Sequence, residues 1–205
     1  LPTFRTSVLG GFFFRAGIGS NPFLLPLMLQ IGFGLSAFQS GSLTFASSAG
    51  ALIMKFTAPR ILKRFGFRQI LIVNGLISAA FFGAIALFSE TTSHILILAV
   101  LLAGGFFRSL QFTCLNAIAY ADVEQGDLSR ASSFASVVQQ ISGSIGVAFA
   151  AIIIESLQFM RGDLLLKPHD FKIAFAVVSL FVAGSVLFHR RLDPNAGADV
   201  SGHSA

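Results

Sequence analysis

Arg108 lies near the middle of a long apolar run, residues 94–120, where a lipid bilayer would leave its guanidinium without water. A charge at that depth costs from about 2.5 to more than 10 kcal/mol, so such a residue is a functional candidate by default. Gln111 and Asn116 follow it on roughly the same side of a helix. We interpret the three side chains as part of a substrate path. The alternative is a structural ion pair or hydrogen-bond anchor inside a helix bundle.

The first apolar run carries a second polar stripe. At about 100° per residue its polar and small members fall within a narrow sector of one helix; they are Arg15, Gly19, Pro22, Pro26 and Gln30. Prolines inside a spanning helix free carbonyl groups that need new partners, so we expect this helix to be bent and to face inward. We assign Arg15 and Gln30 to the same path as Arg108. The alternative for Arg15 is that it snorkels towards the headgroups.

A third set of residues predicts helix packing. Ser142, Gly146 and Ala150 recur at four-residue spacing in the run 131–157, and small residues on one face let membrane helices approach closely. Glu155 lies towards the end of the same run. It is either a proton carrier or a carboxylate that stays in water at a helix end.

The composition indicates how these residues are positioned. The chain has 205 residues, of which 54% are hydrophobic and 11% are charged, whereas about a quarter of the residues in a soluble domain are charged. Crossing a bilayer takes about 20 apolar residues in a helix. Six runs meet this length, and the sequence therefore predicts an all-α membrane protein with six transmembrane helices. The runs are 7–33, 36–56, 70–88, 94–120, 131–157 and 171–188. The small, polar tail 193–205 is predicted to be disordered.

Several function classes are excluded. The net charge of +5 does not indicate nucleic-acid binding, because the basic residues lie at the ends of apolar runs and not on a soluble basic face. Cys114 is the only cysteine, so no internal disulfide or cysteine-pair metal site is possible. No hydrolase, zinc-protease or P-loop motif is present. The sequence therefore predicts neither an enzyme nor a bound cofactor. The four histidines fall at run ends, in loops or in the tail, and we interpret them as interfacial; they are His94, His169, His189 and His203.

The stretch 55–68, KFTAPRILKRFGFR, predicts the orientation in the membrane. Clustered Lys and Arg beside apolar spans mark the cytoplasmic side. With this loop inside, both termini are inside as well, and nine basic residues face the cytoplasm against three outside. The inner nine are Arg5, Lys55, Arg60, Lys63, Arg64, Arg68, Arg130, Arg190 and Arg191, and the outer three are Arg161, Lys167 and Lys172.

Polar residues are distributed unevenly among the six runs. The first, second, fourth and fifth carry the polar interruptions, while the third and sixth are almost free of them. Four helices are therefore predicted to line an interior path, with the other two outside them.

The basic loop resembles the cytoplasmic loop signature of the major facilitator superfamily. The resemblance rests on Arg64, Gly66 and Arg68, and the loop motif also includes Arg60 and Lys63. Pro59 stands where that signature begins with glycine, and Lys63 where it has an aspartate. This pattern is similar to the degenerate copy found in a C-terminal half.

Two other stretches resemble late helices of the fourteen-span drug:proton antiporters, the EmrB/QacA type. They are Asn21 to Gln30, followed by Gly32 and Gly34, and Gln139 to Ala148. The resemblance implies the C-terminal six-helix bundle of a multidrug efflux transporter in the inner (plasma) membrane. Its partners would be membrane lipids, a small amphipathic substrate and the N-terminal bundle of the same transporter, and the proton gradient would drive it without a cofactor. The competing hypothesis is a truncated membrane module that packs against a partner without transporting. Because the chain opens with Leu1, we expect a fragment.

Overall fold

The computed structural model describes residues 2–202, apart from the side chains of Pro2, Arg5 and Thr6. This part of the chain consists of helices and their connections. The helices are α1 (Pro2–Gly19), α2 (Asn21–Leu27), α3 (Ala37–Ala86), α4 (His94–Ala119), α5 (Leu128–Arg161), α6 (Pro168–Gly184), α7 (Val186–His189) and α8 (Ala198–Ser201). A π-helical turn at Met28–Gly32 continues α2, and a 3₁₀ turn at Gln125–Asp127 precedes α5. Five helical segments of the described chain are long and apolar enough to span a membrane.

The 50-residue helix α3 crosses the bilayer twice. As a straight helix it would be about 75 Å long, against a hydrocarbon thickness of about 30 Å. Ser47 and Phe81 would then be about 51 Å apart, yet they contact neighbouring residues of α4, Arg108 and Phe107. The chain folds back at Gly66, whose φ of 67° and ψ of 167° are not helical. The predicted fold class of six transmembrane helices is thereby confirmed.

The fold-back separates a first arm (37–65) from a second arm (67–86). Gly66 is buried, and its positive φ is a conformation that side chains with a Cβ disfavour. The first arm extends beyond the predicted end of the span at Phe56, because Lys63 and Arg64 are good helix formers that stay exposed to water. The basic stretch is thus mainly the last turns of a helix.

Helices α1 and α2 form the first span, which is the most buried of the five candidate segments. The α-helical pattern is interrupted at Ser20, Pro26 lies inside α2, and the backbone then widens into the π turn. A proline removes one backbone donor and crowds the preceding turn. The irregular backbone lies where the sequence predicted a bend.

The two ends of the bundle differ in charge. At one end, which we call the basic end, Thr3 donates a hydrogen bond to Asp122 (2.5 Å) and Arg68 donates one to the carbonyl oxygen of Arg190 (3.2 Å). These contacts bring the start of α1, the junction of the two arms, and the ends of α4 and α7 together. The predicted inner loops therefore share one end of the molecule.

Charged groups tie together the opposite end. Arg161 binds both carboxylate oxygens of Asp170, at 2.5 and 3.1 Å, and Asp170 accepts a hydrogen bond from the backbone N–H of Lys167 at 2.9 Å. The ammonium of Lys167 lies 2.7 Å from Asp163 in the connecting loop. This contact, followed by a hydrogen bond from the backbone of Leu165, lowers the pKa of Asp163. The buried role of Asp170 at the start of α6 was not predicted.

The prediction of a disordered tail needs correction for residues 193–202. Turns follow Leu192, which is buried, and α8 forms over Ala198–Ser201. Gly197 lies against the side chains of Phe67 and Ile118. An apolar surface at the basic end therefore orders a segment whose composition alone indicates disorder. Residues 203–205, including His203, lie outside the described part.

Candidate functional site

Arg108 lines a cavity of about 410 Å³ between α2, the first arm of α3 and α4. Its Nη2 donates a hydrogen bond to Oγ of Ser47 at 2.8 Å. The cavity wall combines hydroxyl and amide groups with apolar surface. Its other residues are Asn21, Pro22, Leu25, Pro26, Gly41, Thr44, Phe45 and Ser48. The side-chain oxygen of Asn21 is buried and has no hydrogen-bond partner among the described residues.

Glycines bring α3 and α4 close enough for this contact. A Cβ at Gly105 would lie 2.0 Å from the carbonyl oxygen of Ser47, and a Cβ at Gly50 would lie 1.9 Å from that of Leu102. The two backbones are therefore in direct contact on both sides of the crossing. Small residues at a membrane helix crossing permit such an approach. Arg108, one turn beyond Gly105, can then reach Ser47.

Arg15 occupies a second polar position, between α1 and α4. Its Nη2 donates to Oδ1 of Asn116 at 2.7 Å. Only 6% of Arg15 is exposed, and its Nε has no hydrogen-bond partner within residues 2–202. Asn116 itself is exposed and lies about 12 Å from Arg108 along the axis of α4. Two of the predicted path residues, Arg15 and Asn116, therefore contact each other directly.

Within the part of the chain that the structure describes, neither Arg15 nor Arg108 forms an ion pair with a carboxylate. The partners of Arg15 and Arg108 are a neutral amide and a neutral hydroxyl. Fixed charges without a counter-ion are costly in a membrane interior.

The structure does not place Gln111 on this polar face. Gln111 is completely buried, its Nε2 donates to the carbonyl oxygen of Leu71 (3.0 Å), and its Oε1 accepts from Asn74 (2.8 Å). Asn74 also donates to the carbonyl oxygen of Phe107 at 2.8 Å. Gln111 thus links α4 to the second arm of α3, and we omit it from the path. Asn74, an isolated polar residue in the plain third run, is the sequence signal for this link.

The remaining candidates lie at the edges of the bundle. Gln30 is exposed in the π turn, and its Nε2 is 3.5 Å from Oγ of Ser40. Glu155 is also exposed, towards the same end of the bundle as Gln30 and away from the basic end. His189, in contrast, is fully buried against Gly10 of α1, which corrects its interpretation as an interfacial residue.

Helices α1 and α5 pack through the predicted small residues. Ser142 and Ala150 are completely buried, and a Cβ at Gly146 would lie 2.0 Å from the carbonyl oxygen of Ala16. Together with Ile154 they form a narrow buried stripe on a helix that is otherwise largely exposed.

Comparisons with known proteins agree on one family. The sequence profile described as "Major Facilitator Superfamily" matches residues 7–203. The "Probable transport protein HsrA" of Haemophilus influenzae is 33% identical over 186 residues, which are 90% of this chain and 40% of that protein. The "Putative multidrug resistance protein MdtD" of Salmonella paratyphi B and that of Salmonella newport are each 30% identical over 199 residues, 95% of this chain and 42% of theirs. The chain therefore spans about two fifths of the length of these relatives.

Proposed function

The chain belongs to the major facilitator superfamily, and from this we propose that it is the C-terminal six-helix half of a proton-coupled multidrug efflux transporter. The family is one of membrane transporters, so the activity class is transport and not enzymatic catalysis. Two of the relatives are named as putative multidrug resistance proteins, and this supports an amphipathic drug-like substrate. A second, N-terminal bundle would complete the transporter.

The observation that carries this proposal is the position of Arg108 in the wall of a cavity. The cavity wall offers a charge and hydroxyl groups together with the apolar surface of Leu25, Pro26 and Phe45. A ligand with one polar and one apolar part would satisfy both. Arg15, Asn116 and Gln30 would extend the path towards the two ends of the bundle.

Exposed surface on α5 supports a partner bundle. Outside its narrow buried stripe, polar residues such as Gln139, Gln140 and Ser144 are exposed. Polar groups facing lipid are costly, so such a surface favours another protein surface or water. Alternating access would arise when this half rocks against the other half around the cavity.

Energised efflux is the experiment that tests the proposed function. Cells expressing the full-length transporter are expected to accumulate less of a fluorescent amphipathic dye such as ethidium than cells with empty vector. A protonophore should abolish the difference, because the proton gradient supplies the energy. The control is the segment 1–205 expressed alone, which lacks half of the path. If cells with the transporter and cells with empty vector accumulate equal amounts of every dye tested, whether cationic, neutral or anionic, the proposal is contradicted. That result would favour a non-transporting membrane module.

The basic end is proposed to face the cytoplasm of a plasma membrane. Its excess of Lys and Arg supports this orientation. In a Cys114→Ala background, Arg64→Cys should react with a membrane-impermeant maleimide only after the cells are opened, whereas Thr91→Cys should react in intact cells. Both positions are exposed, so access differs only by side. Labelling of position 64 from outside would overturn the orientation.

A further inference from the structure

A second cavity lies beside α4, the helix that carries Arg108. It is an apolar groove of about 270 Å³ between the two arms of α3 and α4, and it includes Ile61, Phe65, Gln69, Val73, Phe106 and Leu110. Phe106 and Leu110 are each two residues from Arg108, which places them about 200° around α4. The groove therefore opens on the side of α4 opposite to the polar cavity.

The surroundings of the groove are those of a lipid-facing surface. Val73 and Leu76 of the second arm are 48% and 47% exposed, and Phe65 is 40% exposed. Of the two lining amides, Gln69 is exposed, and Asn74 is buried with its Nδ2 donating to the carbonyl oxygen of Phe107 and to Gln111, while its Oδ1 has no partner among the described residues. The groove runs about 12 Å along the helix, from Gln69 to Ile77. Over most of this length its wall is hydrocarbon.

Positive charge marks one mouth of the groove. Arg60 and Arg64 are exposed in the last turns of the first arm, adjacent to the groove residues Ile61 and Phe65. The guanidinium carbon of Arg64 is 5.4 Å from the centroid of the Phe65 ring, so a cation lies directly on a groove residue. No ion pair in the described part of the chain neutralises either arginine. An anionic headgroup at this mouth would complement the charge, and its acyl chain would continue into the groove.

We propose that this groove is a binding site for an anionic phospholipid, with its phosphate at Arg60 and Arg64 and one acyl chain between the arms of α3 and α4. Basic residues at a membrane surface attract anionic lipids. The groove adds a fixed place for the chain, which a basic surface alone lacks.

Native mass spectrometry of the purified full-length transporter tests the site. In mixed micelles with equal phosphatidylglycerol and phosphatidylethanolamine, the unaltered protein should retain phosphatidylglycerol preferentially. The double variant Arg60→Gln/Arg64→Gln is expected to reduce that retention by about tenfold, since each basic residue contributes to anionic-lipid attraction. The matched control Arg130→Gln/Arg191→Gln removes two exposed charges from the same end, away from the groove, and should retain phosphatidylglycerol as the unaltered protein does.

A second pair of variants tests the acyl chain separately. Val73→Phe fills the groove, whereas Leu76→Phe enlarges an equally exposed residue of the same arm that does not line it. Only Val73→Phe should lower phosphatidylglycerol retention. If both double arginine variants lose phosphatidylglycerol retention equally, general surface charge explains the binding and no specific site is needed. If Val73→Phe retains phosphatidylglycerol fully, no acyl chain occupies the groove. A photo-crosslinker at position 73 that captures a protein helix instead of lipid would assign the groove to the partner bundle. Each of these results overturns the proposal.

Discussion

Arg108→Ala in the full-length transporter is expected to lower drug efflux to the level of cells without the transporter. Among the residues that the structure describes, Arg108 is the only charged one in the wall of the 410 Å³ cavity. A hydrogen bond to a charged group contributes roughly 1.5–3 kcal/mol, so losing it from a transport intermediate would slow efflux by about tenfold or more. Dye accumulation in energised cells, normalised to the amount of transporter in the membrane, measures the effect.

The same variant separates the functional role of Arg108 from a structural one. Removing a charge from the middle of a span lowers the cost of inserting α4, and the contact that is lost is a single hydrogen bond to Ser47. Membrane level and melting temperature should therefore stay the same or rise. Ser109→Ala is the matched control, because its Oγ makes only a 3.4 Å contact to the carbonyl oxygen of Ala51. Normal efflux by Arg108→Ala, or a marked fall in its melting temperature, would instead identify a structural anchor.

Arg108 and Gln111 show how far the sequence predicts this site. Apolar run length and the cost of a buried charge mark Arg108 as a candidate, and the structure places it in the wall of a cavity. Gln111 is about 60° from Arg108 around the helix and Asn116 about 80° in the other direction, so the two are about 140° apart. Periodicity gives these angles, but it does not specify which neighbouring helix faces each one. The second arm of α3 faces Gln111, and α1 faces Asn116.

In a lipid bilayer it is harder than in water to distinguish a functional polar residue from one that only holds helices together. In water, a polar residue inside a helix bundle is exceptional and points to a site. In a bilayer, small and polar residues are also used to hold helices together, because apolar surface gains little by leaving lipid. The pair Asn74 and Gln111 is such a link, whereas Arg108 both bonds to Ser47 and lines a cavity. Only the three-dimensional contacts separate the two uses.

The ends of the bundle were the least predictable part. The tail has the composition of a disordered segment, yet Leu192 and Gly197 lie against apolar residues that the sequence does not mark as neighbours. Asp170 is likewise an unremarkable carboxylate in the sequence, and its contact with Arg161 depends on how the loop between α5 and α6 turns. Contacts of this kind are set by tertiary structure and leave no periodic signal.

Gly105→Ala is expected to destabilise the transporter more than any other single methyl addition on α4. The new Cβ would lie 2.0 Å from the carbonyl oxygen of Ser47, and a backbone atom cannot rotate away as a side chain can. The crossing of α3 and α4 would have to widen, at a cost of about 2 kcal/mol or more. The melting temperature of the purified protein should fall, and efflux should fall with it, because Ser47 also positions Arg108.

The neighbouring glycine gives the matched control for this prediction. A Cβ at Gly104 would lie 3.4 Å from that of Phe81, which is an ordinary contact, so Gly104→Ala should keep the melting temperature close to that of the parent. Gly50→Ala acts on the other side of the same crossing, where a Cβ would lie 1.9 Å from the carbonyl oxygen of Leu102. Since one widening relieves both clashes, the double variant Gly50→Ala/Gly105→Ala should lose less stability than the sum of the single losses. Equal melting temperatures for the Gly104 and Gly105 variants would show that this crossing does not hold α3 and α4 in place.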